Sequence, residues 1–170
     1  MVIQLLFCAQ IAAGAMLLGQ AAVAPPAAPP AAPLVSSQWL DRQASALRDR
    51  GQAQGWSASP SGLRWRRIKG DGSGAHPAAA DSVVLHYAGR LVDGTEFDSS
   101  IARGEPVTLP LSKVIMGWRE GVPLMAVGDT FEFAVPSGLA YGVKGIGPIP
   151  GNATLLFTIE LIAIAPARPS

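Results

Sequence analysis

The residues able to do chemistry in this sequence are few, and none of them sets a nucleophile beside a base. His76 falls in a turn and His86 on a strand face opposite Tyr87, so each reads as structural or solvated rather than catalytic. Cys8 is the only cysteine, which excludes an internal disulfide and a thiolate metal site. No cluster of His, Cys, Asp and Glu has metal-ligand spacing, no glycine run has phosphate-loop form, and no carboxylate pair suggests sugar hydrolysis. Neither metal nor cofactor is expected. What remains is aromatic and apolar: V-I-M-G-W-R-E-G-V at 114–122, and the neighbours Phe97 and Asp98. Such residues work by burial, shape and hydrogen bonding.

Each of them needs an element to hold it. At 114–122, Ile115, Trp118 and Val122 recur at i, i+3 and i+7, with Arg119 and Glu120 on the far side, the pattern of one short amphipathic helix. Residues 83–92 alternate as a strand, Val83, Leu85 and Tyr87 on one face and Val84 and His86 on the other, and turn at Asp93-Gly94. Phe97 and Asp98 close the segment 95–100 that follows, and a short piece at 106–111 leads into the helix. Residues 61–68, 130–135 and 153–164 read as further strands, the first a charged edge strand from Arg64 to Lys69. The loop at 141–151, Y-G-V-K-G-I-G-P-I-P-G, carries a tyrosine and two isoleucines, unusual for a segment that faces water. About five short strands and one helix leave no room for βαβ crossovers, so the expected class is α+β, an antiparallel sheet folded over the helix.

Ahead of this body the composition changes. The 170 residues carry a net charge of +1, which argues against a nucleic-acid footprint, and the first forty hold no charged side chain. Residues 1–24 are apolar, with small residues at Gly19-Gln20-Ala21, and read as an export signal or an uncleaved anchor, placing the protein in a bacterial periplasm or envelope. Residues 25–36 alternate Pro and Ala as an extended spacer. Residues 37–59 form a short helical extension whose helix, capped by Ser36 or Ser37, runs to about Arg50 with Leu40, Ala44 and Leu47 as its stripe. Such a helix is marginal alone and must pack on the body or on a second copy. Residues 60–165 make the main domain and 166–170 a tail.

The motifs V-L-H-Y-A-G, D-G-T-E-F-D-S-S, V-I-M-G-W-R-E-G-V, A-Y-G and N-A-T-L-L-F-T-I-E-L stand in the order and spacing of the FKBP-type peptidyl-prolyl cis-trans isomerases. The sequence resembles that family from about residue 60 to 164, and within it the bacterial macrophage infectivity potentiator subgroup. The resemblance implies a five-stranded antiparallel half-barrel around one short helix, with a shallow apolar pocket between them. It places Tyr87, Phe97, Asp98, Val114, Ile115, Trp118, Tyr141, Ile149 and Phe157 in that pocket, Trp118 as its floor. Ile115 would offer its N–H and Tyr141 its hydroxyl to substrate carbonyls; Asp98 would meet the rotating carbonyl, orient Tyr87, or stand as a paired structural carboxylate. The departures are Val107 and Ile146 in the pocket walls and Met116 where the subgroup has proline; Pro123 sits near the helix end, where a missing N–H costs least. Implied partners are proline-containing polypeptides and macrolide inhibitors. The extension favours a monomer, with a dimer through 37–50 as the other outcome, and a peptide-binding chaperone with little isomerase activity is the competing function.

Overall fold

The computed structural model describes residues 36–165. The expected signal, most of the spacer and the tail lie outside them. The chain enters through α1 (Ser37–Arg48), whose N-cap Ser36 accepts from the Trp39 N–H at 3.2 Å. Seven strands follow in one sheet: β1 (Ser57–Ala58), β2 (Arg64–Lys69), β3 (Ser82–Leu91), β4 (Glu96–Ser99), β5 (Val107–Pro110), β6 (Thr130–Val135) and β7 (Leu155–Ala165). The one-turn α2 (Ser100–Arg103) lies between β4 and β5, and α3 (Met116–Gly121) between β5 and β6.

All pairings are antiparallel and run in the order β1-β2-β6-β7-β3-β4, with β5 also on β3. The α+β class and antiparallel sheet agree with the sequence. Two strands exceed the expected five: β1, two residues within the extension, and β5, too short to show alternation. The alternation of β7 decides which face is core, because Leu155, Phe157, Ile159 and Leu161 are buried while Leu156, Thr158 and Glu160 are only partly covered. Leu63, Val83, Leu85, Phe131, Phe133 and Val135 join them on the same side.

On the other edge of β3 the ladder is interrupted. β5 pairs with Ser82 to Leu85 and β4 with Ala88 to Arg90, which leaves His86 and Tyr87 facing neither. The fully buried Ser100 fills that gap: its Oγ accepts the Tyr87 N–H at 2.8 Å and lies 3.1 Å from His86 Nδ1. His86 is therefore structural, as its sequence context implies.

The expected helix at 114–122 contracts to α3, with Ile115 as its N-cap and a 3₁₀ turn over Val122–Leu124 that takes Pro123 at little cost. Six residues cannot hold a helix in water, so packing holds this one. Trp118 and Val122 are buried as expected, and so are Gly117 and Gly121, one turn apart on the face against the sheet. There is no space there for a methyl group: a Cβ on Gly121 would stand 2.5 Å from Phe133 Cε1, and one on Gly117 would overlap a Val135 methyl.

For α1 the structure corrects both end and face. The helix stops at Arg48, and Leu40 and Ala44 of the expected stripe are exposed. Trp39, Gln43 and Ala46 face inward instead, because α1 docks through polar bonds rather than an apolar seam. It docks on the body of its own chain: Trp39 Nε1 donates to Gly151 O at 3.2 Å, and Gln43 Oε1 accepts the Thr154 N–H at 2.8 Å. Three of the four cations of β2 are also spent, Arg66 on Glu132 at 2.5 Å, Arg67 on Asp129 at 3.4 Å and Lys69 on Glu160 at 3.4 Å, while Arg64 Nε is buried with no partner among the described residues.

Alanine at position 121 would gain about 1 kcal/mol of helix preference. The overlap with the buried Phe133 ring should outweigh this, so Gly121→Ala should lower stability by about 1–3 kcal/mol, read from the urea midpoint at unchanged slope.

Candidate active site

α3, the inner face of the sheet and Tyr141, the first residue of the loop at 141–151, border a cavity of about 310 Å³. Its walls include Tyr87, Phe97, Asp98, Val114, Ile115, Trp118, Tyr141 and Phe157, eight of the nine residues that the sequence assigned, together with Leu109 and Lys113. Ile149 is not brought to the cavity. Paired with Ile146 through reciprocal backbone bonds of 2.8 and 3.0 Å, it turns into the core, where it is 6% exposed, and leaves Ile146 in solvent. Leu109, two residues along β5, takes the wall position expected of Val107.

The lining is a chain of edge-to-face rings. Trp118 meets Tyr87 at 5.2 Å and 78° and Phe157 at 5.2 Å and 82°, and Phe157 meets Phe97 at 5.8 Å and 89°. Gly89 makes this arrangement fit, since a Cβ there would lie 2.6 Å from the Phe97 ring and 2.9 Å from Phe157. The Ile115 N–H and the Tyr141 hydroxyl make no hydrogen bond among the described residues, and Trp118 Nε1 is buried with no acceptor among them. The first two are therefore unspent donors in a lining whose charged members are Asp98 and Lys113.

One polar knot stands at the rim. The Tyr87 hydroxyl donates to Asp98 Oδ2, Arg103 Nη1 donates to Asp98 Oδ1, and Arg103 Nη2 donates to the Tyr87 oxygen at 3.2 Å. The Arg103 guanidinium also lies over the Tyr87 ring, 5.8 Å from its centre. Partial burial works to raise the Asp98 pKa, but the bonds from Tyr87 and Arg103 outweigh it and hold the carboxyl below its ordinary 3.8. Burial, and then the bond to Asp98, push the Tyr87 phenol above its ordinary 10.0. Asp98 is thus ionised and Tyr87 protonated throughout the neutral range.

Arg103 is the site residue that the sequence reading missed. A signal was present: Ser99 caps α2 by accepting the Ala102 N–H at 3.1 Å, and Gly104 ends it with φ +76°. A one-turn helix between Asp98 and that glycine returns the fifth residue to the carboxylate.

The chain matches the model of the FKBP-type peptidyl-prolyl cis-trans isomerases over residues 74–162. It belongs to that family. It is 54% identical over 111 residues to the FKBP-type peptidyl-prolyl cis-trans isomerase FkpA of Aeromonas hydrophila, covering 65% of this chain and 41% of that protein. To the Outer membrane protein MIP of Legionella longbeachae it is 47% identical over 109 residues, 64% of this chain and 46% of that one. A crystal structure of a peptidyl-prolyl cis-trans isomerase from Pseudomonas syringae pv. tomato superposes with a TM-score of 0.68 at 31% identity, covering 74% of this chain and 92% of that one. The chain thus spans about half the length of the curated relatives that it matches. The FKBP-type fold and the likeness to the infectivity potentiator subgroup agree with the sequence resemblance.

A larger cleft of about 480 Å³ lies over the outer face of the sheet. Its charges satisfy one another, Arg66 with Glu132 and Arg90 with Glu96 at 3.0 Å, while Arg50 and Arg66 stack on Trp56 at 5.4 and 5.1 Å.

With Asp98 depressed, any benefit of its charge is complete above the ordinary carboxylate range and fades only as the pH falls below it. The Asp98 carboxylate should accordingly keep its charge from about pH 5 upward. Arg103→Ala should move the Asp98 midpoint to higher pH, measured by following its carboxyl carbon by NMR through an acid titration.

Proposed function

We propose that this domain accelerates cis-trans rotation about X-Pro bonds without a covalent step. The observation that carries the reading is the basin itself: four interlocked rings lining a cavity of about 310 Å³, bordered by unspent donors and by a carboxylate that stays charged. Amide resonance sets a rotation barrier of roughly 18–20 kcal/mol. The twisted amide has lost resonance and much of its charge separation, so a water-poor cavity penalises it less than the planar form. A thousandfold acceleration requires about 4 kcal/mol of such preference.

In this mechanism Tyr87, Phe97, Trp118 and Phe157 seat the proline ring, while the Ile115 N–H and the Tyr141 hydroxyl hold substrate carbonyls on either side. Asp98, through its bond to Tyr87, fixes that ring in the wall and keeps a charge near the rotating carbonyl. Val114 closes the rim beside α3.

Substrates are proline-containing polypeptides, and a macrolide would compete for the same basin. Export to a bacterial periplasm or envelope is supported by the uncharged front and by a relative named as an outer membrane protein. Docking of α1 on its own chain supports a monomer, which light scattering checks. A second reading, a chaperone that grips peptide, is favoured by the apolar side chains exposed around the site, Met116 at 59%, Val143 at 75% and Ile146 at 57%.

A protease-coupled assay on a short Xaa-Pro peptide separates the two. An isomerase should speed the exchange, and Phe97→Ala combined with Asp98→Val should lower kcat/KM at least tenfold with the circular dichroism unchanged. A chaperone would suppress aggregation of an unfolded protein and leave peptide exchange at its spontaneous rate, whereas a double variant as fast as the wild type would mean that the isomerase site lies elsewhere.

A further inference from the structure

Tyr141, in the wall of the basin, opens a loop at 141–151 that is closed on itself: Asn152 N–H donates to Gly142 O at 2.8 Å, and Asn152 takes the left-handed φ of +59° to make the bond. Inside it, Gly145 N–H donates to Tyr141 O at 3.2 Å, and Ile146 and Ile149 bond each other. Four glycines and two prolines give this loop little packing of its own. Its orientation must therefore come from where its base is tied.

That base is tied by α1. Within four residues after Pro150, Gly151 O accepts from Trp39 Nε1 at 3.2 Å, the Thr154 N–H donates to Gln43 Oε1 at 2.8 Å, and the Thr154 hydroxyl donates to Gln43 O at 3.3 Å. Gln43 and Thr154 are 5% and 2% exposed, so these bonds are shielded from competing water. The tie falls beside Asn152, whose partner Gly142 follows Tyr141 directly in sequence. α1 itself lines no part of the basin, and it precedes the matched family region, which starts at residue 74.

We propose that α1 is a brace for the proline basin, with Trp39 and Gln43 as positioning residues that set the Tyr141 hydroxyl and the loop wall against the peptide. The proposal rests on the isomerase reading for its kinetic consequence, but the brace itself has a readout independent of activity.

The full chain is compared with Trp39→Phe, which keeps the ring and loses one donor, with Gln43→Ala, and with Phe131→Leu, a core change at the start of β6 that lowers stability without touching the loop. In the first two, amide exchange at Ile146, Ile149 and Asn152 should quicken about tenfold, and KM for an Xaa-Pro peptide should rise about three- to tenfold with kcat within about twofold. Phe131→Leu should change neither. Loop exchange at the wild-type rate in both brace variants overturns the proposal, and so does faster exchange with KM unmoved. If Gln43→Ala does not fold, Trp39→Phe decides alone. Faster loop exchange in the brace variants, with a wild-type chain that shows no isomerase activity at all, would leave the brace standing and remove the isomerase reading instead.

Discussion

The site depends on how closely α3 can approach the sheet. Two glycines one turn apart allow it, because any Cβ at Gly117 or Gly121 would meet the buried side chains of Val135 and Phe133. At that separation Trp118, next to Gly117 in the chain, reaches between Tyr87 and Phe157 and becomes a floor. A helix held farther out would loosen those ring contacts. The helix is too short to be stable by itself, so the contact that makes the floor is also the contact that makes the helix.

Charge is handled differently in two places on the same sheet. Asp129, 1% exposed, is consumed by structure: it accepts the Ala126 N–H at 3.0 Å and the Gly72 N–H at 3.1 Å and pairs with Arg67. Asp98, with 42% of its side chain exposed, is held by Tyr87 and Arg103 yet keeps one side toward the basin. The first is a turn clasp. The second keeps a fixed charge and a fixed phenol in a wall whose other members are hydrocarbon.

Much of this could be read in the sequence, for definable reasons. Period-two alternation located β3, β6 and β7 to within about two residues, and the side chains it put inward are the ones that meet α3. Eight of nine assigned site residues reach the cavity because five motifs held a family register. Ile149 escaped because a two-residue bridge inside a glycine-rich loop reverses which isoleucine points inward, and periodicity has no purchase on such a loop. Arg103 escaped because its partner is reached through a one-turn helix. The docking face of α1 escaped because a polar side chain, Gln43, forms its centre, and a search for apolar stripes passes over glutamine.

The interruption on the outer edge of β3 has a further consequence. Between β4 and β5 that strand is completed by one serine hydroxyl, so the chain from Ile101 to Pro106 carries no register of its own. Residues can be inserted or lost there without sliding any strand by a pleat. The rim of the basin, with the Arg103 contacts to Asp98 and Tyr87 that the segment carries, can therefore be rebuilt while the core that holds Trp118 stays untouched.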